Sequence, residues 1–155
     1  MHRTTYNLFA DYFQFYRQDE LAEGIDGDSW DEIAFARLLA TAPGTIGIGT
    51  VRNMTVPVVV EIHDHEPPED ADIWDHITEC SIVVSSGKIV IAGCTDYFPD
   101  AARIEVAPGI YAARISYGAL DSLSEDELEG DDHYRVQLWP GAVGEPRVVK
   151  QRTVS

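Results

Sequence analysis

Short runs of alternating apolar and polar residues make up most of the chain. A period of two, with turn-forming residues between the runs, is typical of β-strands that bury one face. This spacing favours a β-sandwich or barrel over βαβ units. No linker or repeat interrupts residues 1–155, so we predict a single domain with a loosely attached basic tail over residues 141–155. We predict a mainly β fold, an antiparallel β-sandwich of about eight strands, at residues 9–17, 46–50, 56–62, 77–84, 88–94, 104–106, 111–117 and 134–138.

One segment, near residues 30–42, has helical spacing instead. Apolar residues recur three and four positions apart from Trp30 to Leu39, which would give a helix one buried face. Ser29 stands three residues before Glu32, the spacing of a capping box, in which each side chain bonds the backbone N–H of the other residue. The Pro43-Gly44 pair would end the helix. We therefore predict one α-helix in this region.

The Ser86-Gly87 pair is predicted to form the turn of a hairpin. A two-residue loop there places Cys80 opposite Gly93 and Cys94 opposite Glu79. Because side chains alternate along a strand, the two sulfurs would point to opposite faces of the sheet. We predict two free thiols, and two cysteines are too few for a disulfide scaffold.

The chain is strongly acidic, with 27 Asp and Glu against 11 Lys and Arg and a formal net charge of −16. Residues 11–32, 61–79 and 121–132 hold 23 of the acidic residues, whereas residues 147–155 are basic. Such charge repels phosphate backbones and anionic lipid surfaces, so we expect no direct binding to nucleic acid or membrane. No apolar run reaches the ~20 residues of a membrane span, and we expect a cytoplasmic protein.

Two explanations account for the acidic clusters. Solvated loops that keep the protein soluble are one, and a surface for a cationic partner is the other. In the second case the protein would occupy the basic groove of a nucleic-acid-binding enzyme as phosphates do. Acidic loops would steer association, and an apolar anchor near Tyr97-Phe98 or Tyr12–Tyr16 would hold the complex. The predicted partner-binding residues are Asp64, Glu66, Glu69, Asp70, Asp72, Asp75, Tyr97, Phe98, Glu125, Asp126 and Glu127.

Two other classes of function remain open. His63 and His65 would share one face of a strand, and with His76 they could hold a metal ion in a metal-binding protein or metal-dependent enzyme. An exposed acidic loop with incidental histidines explains the same residues. A β-sandwich that binds a small ligand, with Trp74 or Trp139 as a stacking platform, is the other class. No G-x-S-x-G motif is present, and we expect a non-enzymatic protein without a cofactor.

A further run combines small, charged and apolar positions: Trp30, Glu32, Ala40, Ala42, Gly44, Ile46, Arg52 and Asn53. This run resembles the competence protein J (ComJ) family. The similarity continues in the same order through Tyr12–Phe15, Ser86–Ile89, Ala107–Tyr111 and a late strand near Tyr134. The resemblance implies a small bacterial protein that binds and inhibits a DNA-entry nuclease in competence, and it implies no catalytic residues. We expect Arg52 and Asn53 to be structural, with Arg52 either capping backbone groups or paired internally.

Overall fold

The computed structural model describes residues 2–24, 29–93, 96 and 98–153, apart from the side chains of residues 11 and 98. The described residues form eleven strands and one α-helix. In chain order these are β1 His2–Phe9, β2 Gln14–Asp19, α1 Glu32–Arg37, β3 Leu39–Ala42, β4 Thr45–Gly49, β5 Thr55–Ile62, β6 His76–Val84, β7 Lys88–Gly93, β8 Ala102–Glu105, β9 Gly109–Gly118, β10 His133–Pro140 and β11 Arg147–Lys150. None of these residues belongs to a helix with the length and apolar character needed to cross a membrane.

The strands form two sheets. One has six strands in the order β1-β5-β10-β9-β6-β11, and the other has five in the order β3-β4-β2-β7-β8. Neighbouring strands run antiparallel except β5 and β10, which are parallel. The mainly β, sandwich-like architecture is confirmed, with eleven strands in place of the eight predicted.

The hydrophobic core is built from alternate side chains of both sheets. Val58, Val60, Val136, Leu138 and Ile115 come from the six-stranded sheet. From the five-stranded sheet the core takes Phe15, Leu39, Ile46, Ile48, Ile89 and Ile91. Burying one such side chain contributes roughly 1.5–3 kcal/mol. Because side chains alternate, the intervening residues of the six-stranded sheet lie on its outer face.

The helix is shorter than predicted. Its N-cap is Asp31 rather than Ser29, and the Asp31 carboxylate accepts a hydrogen bond from the Ala34 N–H at 2.9 Å. Leu38 ends it with a left-handed φ of 59°. Leu39–Ala42 then form β3, because Leu39 pairs with Ile48 and is buried in the core. In the sequence the helical spacing of apolar residues continues through Leu39, so periodicity could not show that α1 ends at Arg37.

The strand predicted over residues 9–17 is divided in two. A 3₁₀ turn at Asp11–Phe13 separates β1 from β2 and carries the chain from one sheet to the other. Tyr12 and Phe13 have φ values of 57° and 60°, in the left-handed region that non-glycine residues seldom occupy. The sequence pattern did not predict β1, because its first residues are mostly polar.

The hairpin predicted at Ser86-Gly87 is wrong, since β6 and β7 belong to different sheets. The turn is a crossover, and Cys80 lies opposite Ala113 rather than Gly93. The apolar sides of both strands face the core from opposite layers, which buries more surface than pairing them side by side. The Cys80 thiol is buried and free, and Cys94 lies outside the described residues.

The basic tail, expected to be loosely attached, contains β11, which pairs with β6 at the edge of the six-stranded sheet. Before this strand, the Val143 N–H donates to Ser81 Oγ at 2.8 Å. After it, the Arg152 N–H donates to His76 Nδ1 at 3.0 Å. Backbone hydrogen bonds therefore fix most of the tail to the body. The basic composition of the tail could not predict these hydrogen bonds from the sequence.

Candidate functional site

A row of charged and polar side chains crosses the outer face of the six-stranded sheet. The strand register places its members side by side: Arg3, Glu61, Gln137, Arg114, Glu79 and Arg147. Arg114 Nε lies 3.0 Å from Glu79 Oε2, and Arg147 Nε lies 3.0 Å from the other oxygen of the same carboxylate. Glu61, Gln137, Arg114 and Glu79 are all buried. A buried polar row of this kind must be covered from outside, and the neighbouring loop covers it.

The loop between β5 and β6, residues 63–75, forms this cover, and we name it the strap. The Pro67 carbonyl accepts a hydrogen bond from Arg114 at 3.1 Å. Asp70 accepts two from Arg135, at 2.8 and 2.7 Å. The Ala71 carbonyl accepts one from Lys150 Nζ at 3.0 Å. Much of the second acidic cluster of the sequence, residues 61–79, is therefore a structural element.

Two tryptophans lie buried among these contacts. The Arg135 guanidinium carbon is 4.6 Å from the centroid of Trp74, and that of Arg114 is 5.1 Å from Trp139. Both geometries suit a cation–π contact. The stacking platform predicted at Trp74 or Trp139 is thus not exposed to a ligand, since each ring is almost wholly covered.

The six predicted partner-binding residues of the strap differ in their surroundings. Asp70 is engaged by Arg135, whose hydrogen bonds lower the pKa of its carboxyl. Glu66 is exposed but lies 3.6 Å from Arg114, and the Asp75 carboxylate accepts the Leu120 N–H at 2.8 Å. The remaining three are exposed and have no ion pair within the described part of the chain: Asp64, Glu69 and Asp72. Their role in partner binding stays a prediction.

The loop between β9 and β10, residues 119–132, contains the third acidic cluster, and we name it the acidic loop. It is anchored by Asp132, which is buried and accepts hydrogen bonds from Arg52 Nε at 2.8 Å and from the Tyr134 hydroxyl at 2.7 Å. The internal pairing predicted for Arg52 is confirmed. Above this anchor the loop exposes a set of carboxylates: Glu125, Asp126, Glu127, Glu129 and Asp131.

These exposed carboxylates of the acidic loop have no ion pair with any described residue. The Ser124 hydroxyl and the Leu128 N–H donate to Asp126, at 2.6 and 3.1 Å, and lower the pKa of its carboxyl. Within the loop, Asp121 lies 3.7 Å from Arg152, and on the body Arg103 bonds Glu20. The arginines thus neutralise carboxylates of the body and the strap and two of the acidic loop, Asp121 and Asp132, whereas the five exposed carboxylates listed above keep their charge.

An apolar groove opens beside α1, with a volume of about 380 Å³, and we name it the aromatic groove. Its walls include Tyr12, Phe13, Trp30, Phe35 and Leu38. The Trp30 and Phe35 rings pack with centroids 5.5 Å apart. Of the two predicted apolar anchors, the Tyr12–Tyr16 segment therefore contributes Tyr12 and Phe13 to this groove. For the other anchor, Tyr97 and the Phe98 side chain lie outside the described residues.

The sequence did not identify Trp30 and Phe35 as groove residues, because both fall on the apolar stripe of the predicted helix. In the structure only Ala34 of α1 is buried. Phe35 is 63% exposed. The six-residue length of α1 and the burial of Ala34 alone are visible only in the structure, so local spacing offered no signal that would have marked this side as a surface.

The predicted histidine cluster is not assembled. His63 Nε2 lies 2.8 Å from Glu61 Oε1 on the outer face. His76 is buried, its Nε2 lies 2.7 Å from the Arg37 carbonyl oxygen, and its Nδ1 accepts the Arg152 N–H. Burial lowers the pKa of His76, which favours the neutral ring. Within the described ranges no three His, Cys, Asp or Glu side chains are grouped so as to hold a metal ion.

Solved structures share this arrangement of strands. The chain is similar to ComJ from Bacillus subtilis, an inhibitor of the DNA-degrading activity of NucA, with a TM-score of 0.67 and 15% identity over 91% of this chain and 96% of that one. The chain has a ComJ-like fold. It is also similar to the crocagin biosynthetic gene J protein, with a TM-score of 0.59 and 17% identity over 90% of this chain and 99% of that one. No family model and no curated protein matches the sequence.

Proposed function

We propose that this protein binds a nuclease and inhibits it by covering its DNA-binding surface. The observation that carries the proposal is the set of exposed carboxylates on the acidic loop that no described basic residue neutralises. A surface that binds DNA must be cationic to attract phosphates. Carboxylates held on a loop present the same sign of charge to that surface.

The ComJ-like fold supports the same function, since the Bacillus subtilis protein of this fold inhibits the DNA-degrading activity of NucA. Asp132 contributes by anchoring the acidic loop to the body through Arg52 and Tyr134. An anchored loop loses less conformational entropy on binding than a free one. The carboxylates are therefore held in place before the partner arrives.

Charge alone would not hold such a complex. At physiological salt the Debye length is about 8 Å, so exposed charges are screened over short distances. Electrostatic complementarity mainly raises association rates and excludes wrong partners, whereas buried apolar anchors slow dissociation. We infer that the acidic loop steers the partner and that an apolar contact completes the inhibition.

The test combines capture with an activity assay. The full chain is used to capture proteins from a lysate of its native cell at low and high salt, and any captured nuclease, together with NucA, is assayed for DNA degradation at rising inhibitor concentration. We expect stoichiometric inhibition of a nuclease whose capture weakens at high salt. Inhibition of none of these enzymes would overturn the proposal.

Two variants that remove equal charge locate the contact. One neutralises the acidic loop by Glu125→Gln, Asp126→Asn and Glu127→Gln. The other neutralises the strap by Asp64→Asn, Glu69→Gln and Asp72→Asn. Because both lose three charges, a general effect of net charge would slow association equally. We expect the first variant to lose more of its association rate and salt dependence than the second.

A further inference from the structure

We propose that the aromatic groove and the acidic loop form one docking face, and that its occupant is a segment of the partner with an apolar side chain flanked by lysines or arginines. The inference rests on the proposed function for the partner's identity as a nuclease. The chemistry of the segment that docks, an apolar residue between cations, is inferred from the residues of the groove and the acidic loop.

The groove and the loop are joined by a short series of hydrogen bonds. The Thr50 N–H donates to the Phe13 carbonyl at 2.9 Å, which fixes the groove wall. The Thr50 hydroxyl donates to the Arg52 carbonyl at 3.0 Å. The Arg52 guanidinium then bonds Asp132 and reaches the Leu128 carbonyl at 3.5 Å. Two residues after the groove residue Thr50, Arg52 therefore fastens the chain to the acidic loop, so both features belong to one region of the surface.

The backbone of the groove is strained in a way that exposes aromatic rings. Tyr12 and Phe13 are consecutive bulky residues in the left-handed region, where each costs of order 1–2 kcal/mol. Their side chains are 69% and 47% exposed, so burial in the core does not compensate for this cost. Exposed aromatic rings grouped on a surface are typical of interaction sites.

The groove floor is closely packed. A Cβ atom at Gly49 would lie 3.2 Å from the Leu38 Cα, closer than an ordinary van der Waals contact. Leu38 adopts its left-handed conformation at the end of α1, directly above this glycine. The floor is therefore preformed, which lowers the entropic cost of inserting a side chain from a partner.

Charge on either side of the groove selects the occupant. Asp31 and Glu32 are exposed at the start of α1, next to Trp30. The acidic loop, to which Arg52 is bonded two residues after the groove residue Thr50, adds exposed carboxylates. Two cations close to the groove residues in the sequence are already engaged, since Arg52 bonds Asp132 and Arg37 donates to the Leu39 carbonyl at 2.8 Å. An apolar floor between carboxylates favours an apolar side chain between cations, and it repels phosphates.

The test uses synthetic peptides with the full ¹⁵N-labelled chain. One peptide carries a single Phe between pairs of lysines, and its matched control carries Gly in place of Phe. The chain has three tryptophans, of which Trp30 lies in the groove, while Trp74 of the strap and Trp139 of β10 are almost wholly covered. We expect the Phe peptide to shift the indole N–H signal of Trp30, assigned with Trp30→Phe, and to leave the other two in place.

Variants test the contributions of the ring and of the charge. Phe35→Ala removes an exposed ring, so the fold remains, and we expect affinity for the Phe peptide to fall about tenfold. Ile110→Ala, at an exposed apolar residue on β9, is the matched control and should leave the affinity unchanged. The acidic-loop triple variant should weaken binding and flatten its salt dependence.

Two results would overturn the docking face: no shift of the Trp30 signal, or equal binding of the Gly and Phe peptides. Either could occur while the protein still inhibits a nuclease, and the proposed function would then stand without this face. Binding of the Phe peptide at Trp30 by a protein that inhibits no nuclease would support the face and reject the proposed function.

Discussion

The Arg135 guanidinium holds the Asp70 carboxylate by two hydrogen bonds while lying over the ring of Trp74. The two paired residues are 65 positions apart in the sequence. This contact fastens the strap to the outer face of the six-stranded sheet. An acidic residue expected at a partner interface thus stabilises the protein itself, and the surface charge available to a partner lies more on the acidic loop.

Removing the Asp70 carboxylate should loosen the strap. We expect Asp70→Asn to lower the free energy of unfolding by about 1–2 kcal/mol, because two charge-assisted hydrogen bonds are weakened and Arg135 keeps its charge. Urea unfolding followed by tryptophan fluorescence measures the change. Asp72→Asn is the matched control, and as a substitution at an exposed residue it should stay within about 0.5 kcal/mol of the wild type. Equal effects of the two variants would contradict the assignment.

The same contact predicts a pH dependence. Hydrogen bonds from Arg135 lower the pKa of Asp70 below its ordinary value of 3.8 in the folded state. The resulting stability is fully present above that ordinary value and is lost as the pH falls through the lower folded pKa. The stability difference between the wild type and Asp70→Asn should therefore shrink in strong acid, and unfolding curves at neutral and acidic pH test this.

The buried pair of Arg114 and Glu79 should behave as a coupled unit. Glu79→Ala leaves Arg114 buried without its carboxylate, and we expect a loss of about 3–5 kcal/mol in unfolding free energy. The double variant with methionine at both positions should recover most of this loss, because neither side chain then needs a charged partner. A double-mutant cycle in urea, built from Glu79→Met, Arg114→Met and the double variant, measures the coupling, and simple additivity of the two single changes would show that the pair is not coupled.

Local patterns predicted much of the fold. Alternation identified β5 and β9, and Pro57 lies just before Val58, where pairing of β5 with β10 begins. The same pattern could not assign strands to sheets. β6 and β7 each have an apolar face and a turn between them, which fits a hairpin and a crossover equally well. Only packing of distant residues, such as Ile91 on β7 beside Arg17 on β2, decides between them.

Sequence patterns identified only part of the candidate site, because they do not show which residues meet across the fold. A carboxylate looks the same in a sequence whether it faces water or an arginine far along the chain, so Asp70 and Glu127 could not be told apart. The aromatic run drew attention to Tyr12 and Phe13, which line the aromatic groove, and their role in partner binding stays a prediction. Phe35 was assigned to a buried helical face, because the length of α1 depends on the pairing of β3 with β4 and not on local spacing.

Cys80 should be unreactive in the folded protein. Burial raises the pKa of its thiol to about 12, so almost no thiolate is present at neutral pH. In a Cys94→Ser variant, where Cys80 is the remaining cysteine, we expect no labelling by a thiol reagent until urea unfolds the chain. Full labelling in urea is the control. Rapid labelling of the native variant would show that the core opens at this position.

The buried Arg17 side chain lowers the free energy of unfolding, and a single substitution should restore it. The side chain is fully buried on the core face of β2, between Ile46 and Ile91 in register, and none of its guanidinium nitrogens has a hydrogen-bond partner among the described residues. Burial lowers its pKa from the ordinary value of an arginine to about 10, which corresponds to about 3 kcal/mol of lost stability at neutral pH. We expect Arg17→Met to raise the free energy of unfolding by about 1–3 kcal/mol.

The pH dependence makes this prediction specific to the buried charge. The unfolded chain binds the Arg17 proton more tightly than the folded one, so the wild type should gain stability as the pH rises above about 10 toward 12.5. Arg17→Met lacks the guanidinium group. The difference in unfolding free energy between Arg17→Met and the wild type should therefore shrink over the same pH range. Arg17→Lys, which keeps a buried cation, is the matched control and should show no gain at neutral pH. If Arg17→Met proved less stable than both the wild type and Arg17→Lys, the guanidinium would be contributing favourable contacts that outweigh its desolvation.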